Sequence, residues 1–470
     1  MIYTVETRFD FRNNQNQELL NYLNQYIIDY NKIKRYVFLY YISHNNISRS
    51  KFISQTAFKY GVLSRTINSI VNKVEGDIKA YKELKKFELE NLQNKIKSYE
   101  KKVTDKEKQV KKLKIKANEN KIKPDELDKL HLQKQALFQM KCKLNKLNQK
   151  LINKELNLNN ISMMYGTKSY FKKQYNLKEN NLTFAKWKNN FKKKRDSNIY
   201  LLGGATYKQG NDIAQLYYNK TTNDFTLKLF IDKPYRISNK DKFIVIEHLN
   251  FKNMHNELRD ICINNENNVD KQALTFNIHR VGNKWYLQVM FELKNRPITT
   301  NKENGVVGLD YNETFIQVSE TDSKGNLVNT FSIPIGKTNS NKNKTLLQQQ
   351  LYELTKYAKT RDKPIACEDL NFKSTKSKLV PARSKKGKKY NKMISSLAYS
   401  DFKQCLNNVA YKNGVEIYKV NPRNTSKVGK EKYNKSKKLT THQSAAYVIA
   451  RSAMGFKDKA IINNKLVRVY

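Results

Sequence analysis

Apolar and polar residues alternate over residues 2–9, which predicts a half-buried strand. From 17 to 88 the apolar spacing changes to three and four. Leu19, Leu20, Leu23, Tyr26 and Ile27 open that helical stretch, and Ile67, Ile70 and Val71 lie in its later part. Asn46-Ile47-Ser48-Arg49-Ser50 reads as a turn and helix start between them. Residues 89–156 read as a distinct module. Leu92, Ile96, Tyr99, Val103, Val110 and Leu113 form a heptad stripe interrupted by Lys106. After a polar break at 118–123 and a helix start at Pro124-Asp125-Glu126, a second stripe runs through Leu130, Leu137, Met140, Leu144, Leu147 and Leu151. Two such stripes joined by a short turn predict an antiparallel helical hairpin. From 198 to 293 the period falls to two, with strands expected at 199–202, 212–218, 225–231, 243–247, 274–281 and 284–293. This is a mostly antiparallel β-domain. The N-terminal strand can complete it, which makes the helical region an insertion. From 305 onward the order is three strands, helix, strand, helix, strand, helix. The strands are expected at 305–310, 315–320, 328–334, 364–368 and 415–420, and the helices at 346–358, 392–412 and 441–453. A three-strand meander followed by alternating helices and strands matches the RNase H fold.

Length and charge sharpen this picture. A chain of 470 residues is expected to form two or more domains. Lys and Arg outnumber Asp and Glu by 90 to 42, a net charge of +48. An AT-rich genome accounts for part of the lysine excess but not for so few acids. A chain with this field repels itself unless a polyanion neutralises it, so nucleic acid is the expected partner. The four cysteines, Cys142, Cys262, Cys367 and Cys405, lie far apart and supply neither a zinc ribbon nor a disulfide framework. The N-terminus lacks the basic and apolar regions of a signal peptide. The most apolar run, 36–42, is too short to span a bilayer. The expectation is a cytoplasmic protein, nucleoid-associated in a bacterium, without a membrane partner.

The candidate chemistry lies near the C-terminus. Asp310 follows Val306, Val307 and Leu309, and Glu368 follows Ile365, Ala366 and Cys367, so each carboxylate ends an apolar strand. If those strands are neighbours, the two charges repel unless a divalent cation sits between them. Oxygen ligands suit Mg²⁺ or Mn²⁺, which activate water for attack on a phosphodiester. A solvated strand-end cap is the plainer reading of either acid alone. His442 opens a helix of small residues where a third ligand can enter. The imidazole is a metal ligand, a base for the attacking water, or only a helix N-terminal residue, and Asp401 or Asp369 is the alternative third carboxylate. Aromatics interleaved with Lys and Arg over 160–200, Trp187 among them, suit base stacking with phosphate contact, though core aromatics give the same pattern. Arg383, Lys385, Lys386, Lys388 and Lys389 lie in a basic stretch that reads as a mobile loop, either closing over substrate with phosphate contacts or merely solvated, and Arg423 is a further candidate nucleic-acid contact.

Three segments carry a resemblance. Gly308-Leu309-Asp310-Tyr311-Asn312, Glu368-Asp369-Leu370-Asn371-Phe372 and Asn421-Pro422-Arg423-Asn424-Thr425-Ser426 resemble the TnpB family of transposon-encoded RNA-guided nucleases, and compact type V CRISPR effectors are similar. The match covers about 305–456 and is closest to a branch closed by His-Gln-x-Ala-Ala-x-Val-Ile-Ala-Arg. The resemblance implies a multidomain α+β chain. Residues 1–12 would give the first strand of a β wedge domain, 13–197 a helical recognition lobe with the hairpin at 89–156, 198–300 the rest of the antiparallel β wedge or barrel, and 301–470 an RNase H-like (RuvC) α/β nuclease domain without a zinc ribbon. Asp310 and Glu368 would be metal-binding acids, with His442 where the family commonly has a third acid. The implied partners are a guide RNA and its target DNA, and the implied cofactor is Mg²⁺ or Mn²⁺, with no zinc. The implied activity is RNA-guided DNA endonuclease. A nuclease-dead guided DNA-binding repressor and a basic RNA-binding or architectural protein are the alternatives.

Overall fold

The computed structural model describes residues 2–11, 14–44, 48–119, 123–236, 242–293, 297–312, 314–335, 340–369, 399–462 and 464–469. It divides into two units, Met1–Leu89 with Ile152–Lys294, and Glu90–Leu151 with Asn295–Tyr470.

In the first unit, β1 (Ile2–Arg8) leads into α1 (Asn14–Ser43), whose buried face carries Leu19, Leu23, Tyr26, Ile27, Tyr30 and Val37 at the predicted spacing. Helix α2 (Arg49–Tyr60) stops at Gly61. That glycine takes φ +67°, and its N–H caps the carbonyls of Ala57 and Phe58. Helix α3 (Ser64–Asn118) then runs unbroken for 55 residues. The helix runs on through the expected module start at 89, where the two units divide, because no Gly, Pro or capping residue interrupts it there. Its partner α4 (Pro124–Leu156) starts on a proline with Asp125 and Glu126 in the first turn. Ion pairs Glu88–Lys154, Glu107–Lys141 and Lys116–Glu126 fix an antiparallel order. Leu92, Ile96, Val103, Val110 and Leu130 are buried along the stripes.

Two short helices, α5 (Lys168–Lys172) and α6 (Phe184–Arg195), precede the strands. Strands β2 (Asn198–Leu201), β3 (Ala214–Asn219), β4 (Asp224–Phe230), β5 (Phe243–Leu249), β6 (Thr275–Val281) and β7 (Lys284–Glu292) follow, with α7 (His255–Glu266) before β6. Helix α7 has no counterpart in the sequence expectation. The strands form two antiparallel sheets, β1-β7-β6-β2 and β3-β4-β5. The N-terminal strand joins the first by pairing with β7, Val5 opposite Val289. The Tyr30 hydroxyl donates to the Tyr200 carbonyl at 2.8 Å and ties α1 to that sheet.

Beyond the hairpin segment Glu90–Leu151, the second unit is built on a five-stranded sheet. Its elements are β8 (Val307–Tyr311), β9 (Phe315–Thr321), β10 (Leu327–Pro334), α8 (Ser340–Lys359), β11 (Ile365–Glu368), α9 (Tyr399–Asn413), β12 (Ile417–Val420), α10 (Thr425–Tyr433), α11 (Thr441–Ala453), β13 (Lys459–Ile462) and β14 (Lys465–Arg468). The order is β10-β9-β8-β11-β12, with β8, β9 and β10 a meander and β11 parallel to both β8 and β12. Helices α8 and α9 pack Leu347, Leu351, Leu354, Phe402 and Leu406 on one face, against Val307, Leu309, Ile316, Val318 and Ile365. Helix α11 packs Ile449 and Ala450 on the other, against Val306, Ala366 and Val420. The helix expected at 392–412 is described from Tyr399, and 392–398 lie outside the described residues. Helix α10 and the β13–β14 hairpin were not anticipated.

One buried ionic group braces the meander. Glu320 is 3% exposed on β9, and its carboxylate accepts from Lys363 Nζ at 2.5 Å and from the Tyr357 hydroxyl at 2.5 Å. Lys363→Ala leaves this carboxylate short of its nearest cation inside the fold. A loss of about 3 kcal/mol is expected, read in chemical denaturation; a change under about 0.5 kcal/mol, the range of ordinary surface substitutions, would show that water or Arg361 replaces the lysine.

Candidate active site

Strand periodicity places the two acids. Side chains alternate across a strand, so Val306, Gly308 and Asp310 share one face of the sheet while Val307 and Leu309 take the other. The apolar partners agree: Val307 and Leu309 meet α8 and α9, and Val306 meets α11. On β11 the same parity puts Ala366 and Glu368 on the α11 face. The parallel register pairs Val307 with Ile365, Gly308 with Ala366 and Leu309 with Cys367. Asp310 and Glu368 are the next step along that ladder, side by side at the carboxyl ends of adjacent strands.

Helix α11 brings His442 to the same place. It starts with a capping box in which the Thr440 hydroxyl accepts from the Gln443 N–H and the Gln443 side chain accepts from the Thr440 N–H. It lies close because Gly308 has no Cβ; one built there would sit 2.1 Å from the Ala446 carbonyl oxygen and 2.7 Å from the Ala450 nitrogen. Ser319 on β9 donates to the Gln443 carbonyl at 2.9 Å and fixes the start of the helix. His442 Nδ1 then lies 2.8 Å from Asp310 Oδ2. An ionised carboxylate only accepts, so the imidazole Nδ1–H is the donor. Asn312 Nδ2 donates to the same oxygen at 3.1 Å, and the Phe315 ring meets the imidazole edge to face at 5.2 Å. The Asp310 side chain is nearly covered, whereas that of His442 is half exposed.

Glu368 is held from the opposite side. The Thr425 hydroxyl donates to Glu368 Oε1 at 2.5 Å. Burial pushes the Glu368 carboxyl up to about 7; the Thr425 hydrogen bond opposes the rise, and the Asp310 charge adds to it. A carboxyl so raised is one that a cation would return to its charged form.

The alternative third acids make exposed ion pairs. Asp369 pairs with Lys403 at 3.1 Å, and Asp401 with Lys344 at 3.8 Å. Arg423 is exposed in the turn before α10. Arg383, Lys385, Lys386, Lys388 and Lys389 lie outside the described residues. Trp187 departs from expectation. It is 6% exposed, its indole N–H donates to the Tyr170 carbonyl at 3.1 Å, and it stacks on Phe191 at 5.7 Å. It is a core ring of its module and has no open face for a base; Phe184 and Tyr175 are the exposed aromatics nearby. Thr425 lies in the Asn-Pro-x-x-Thr-Ser segment at 421–426. Its signal was the segment's place directly after strand β12, beside β11.

Two carboxylates with an imidazole nearby are a hard to borderline donor set, which fits Mg²⁺ or Mn²⁺. Among the described residues no three His, Cys, Asp or Glu side chains form a ready-made metal cage. Mg²⁺ needs none when one or two carboxylates share it with substrate phosphates.

No family model matches the chain, and no curated protein matches it. Among solved structures, the chain is similar to T. thermophilus RuvC in complex with a Holliday junction substrate. The identity is 14% and the TM-score 0.24, over 33% of this chain and 97% of that one. It is also similar to a CRISPR-Cas12f ternary complex, with 13% identity and a TM-score of 0.23, over 96% of this chain and 98% of that one. No residue role follows from likeness at this level. Among the described residues, no helix is long and apolar enough to cross a membrane.

Proposed function

We propose that the protein is a guide-RNA-bound DNA endonuclease with one divalent-metal site at Asp310 and Glu368. The observation that carries the nuclease reading is the adjacent pair of carboxylates at the ends of β8 and β11, with His442 touching the first. The net charge of +48 supports a polyanionic partner. The guided mode rests on the TnpB-like segments. In this reading the helical and β elements up to about residue 300 hold the guide and its heteroduplex by shape and backbone, and base pairing reads sequence.

Asp310 and Glu368 would hold the ion. When bound, Mg²⁺ or Mn²⁺ supplies charge neutralisation at the scissile phosphate and lowers the pKa of the attacking water. Asn312 and His442 orient the Asp310 carboxylate, and Thr425 holds that of Glu368. With Nδ1–H given to Asp310, Nε2 is the ring nitrogen left for a further bond. That atom takes the proton from the attacking water, or else completes the ligand set.

The test is to express the chain with its native flanking DNA, sequence the RNA that co-purifies, and offer the complex a target library with randomised flanks in Mg²⁺ and in Mn²⁺. Guided cuts in either ion are the expected result. A discrete RNA with target binding and no cuts would favour a guided repressor. No discrete RNA would leave a basic nucleic-acid binder.

A further inference from the structure

We infer that Thr425 is a positioning residue whose hydroxyl fixes the Glu368 carboxylate for metal binding. The inference rests on the metal-site reading above and deepens it, by tying the strength of metal binding to the Thr425 hydroxyl.

Thr425 is the first residue of α10 and 1% exposed. Its hydroxyl carries one proton and has two acceptors within reach, Glu368 Oε1 at 2.5 Å and the Pro422 carbonyl at 3.2 Å. The carboxylate is nearer and is the stronger acceptor, so the proton belongs to Glu368. A glutamate side chain has three rotatable bonds, and the Thr425 hydroxyl limits which of their settings the carboxylate takes.

The hydroxyl itself is held in place. Asn424, at φ +70°, turns the chain into α10 and donates from its side chain to the Arg468 carbonyl at 3.0 Å. The Arg423 N–H is taken by the Asn421 side chain at 3.0 Å. Further along, a Cβ at Gly429 would lie 2.8 Å from the Ser444 backbone, so α10 sits directly on α11. The Ser444 hydroxyl donates to the Asn434 side chain at 2.6 Å just past the end of α10. The helix that presents His442 to Asp310 is thus braced against the helix that presents Thr425 to Glu368. One hydrogen-bonded framework sets both carboxylates.

The experiment measures Mn²⁺ binding by electron paramagnetic resonance on the full chain freed of nucleic acid, and the Mn²⁺ concentration at half-maximal cleavage in the complex. Asp310→Ala identifies the ion belonging to this site. Thr425→Val keeps the shape and removes the hydroxyl. It is expected to weaken that ion 10- to 100-fold, the range for outer partners of metal ligands, and to move the cleavage midpoint to higher Mn²⁺ by a like factor. Thr425→Ser is expected to restore both to within about threefold, as the hydroxyl is retained. If the valine protein fails to fold, the comparison of Thr425→Ser with Thr425→Ala isolates the hydroxyl at one side-chain volume lost. Wild-type affinity in Thr425→Val, or equal affinity in the serine and alanine variants, overturns the inference and leaves the metal site standing. A wild-type chain with no Asp310-dependent ion overturns the site and this inference together.

Discussion

Asp310→Asn is expected to abolish guided cleavage while leaving guide RNA and target bound. Asparagine keeps the shape and one carbonyl oxygen, so the contacts from Asn312 and His442 retain an acceptor. The negative charge is lost, and with it the better half of a two-carboxylate ion site. Lewis-acid stabilisation of a phosphoryl transition state contributes several kcal/mol. Losing about 4 kcal/mol slows the reaction on the order of 10³-fold. The Asp310 side chain is nearly covered, so it adds little to long-range attraction of the polyanion, and filter binding should change by less than about twofold, as for a substitution that touches no phosphate contact. Single-turnover cleavage within tenfold of wild type would place the chemistry elsewhere.

Gly308→Ala is expected to damage the fold and the site at once. The new methyl would enter the path of α11 at Ala446 and Ala450, where the nearest atoms are backbone and cannot rotate away. Overpacking of this kind costs about 3 kcal/mol. The helix must retreat from β8, and His442 retreats with its first turn. A displacement of about 1 Å at a reacting group can cost 10²-fold in rate. Both effects should appear together, as a lower denaturation midpoint and slower cleavage at saturating Mn²⁺. Normal stability with normal cleavage would mean that α11 has room to spare at this crossing.

The site was more legible in the sequence than the elements around it. Asp310 and Glu368 each end a short apolar run, and a run that terminates on a carboxylate can be read without knowing the sheet order. His442 could be read because small residues follow it at helical spacing. The contact of His442 with Asp310 comes from register and from the missing Cβ at Gly308, and neither has a periodic signature. Helix α10 escaped notice because its nine residues contain a glycine and bury only Val428 and Tyr433 as large apolar side chains. The sequence left both readings of the Trp187 region open, because a small module lined with lysines and a stacking surface lined with lysines share one pattern; Trp187 itself is buried, and Tyr175 and Phe184 are exposed. The five strands of the main sheet in the second unit were all anticipated, and the buried ones among them are rich in Val, Ile and Leu.

The unbroken helix α3 has a consequence for how this chain can change length. At about 1.5 Å per residue, its 55 residues make a rod of about 80 Å. Inserting one residue in the exposed half would turn everything beyond it by about 100°. Leu92 and Ile96 would then point one way and Val103 and Val110 another, with only one pair still facing α4. Seven inserted residues return the stripe to within about 20°. Related chains should therefore differ in this hairpin by steps near seven residues in each arm, matched between α3 and α4, so that the hairpin lengthens in whole heptads.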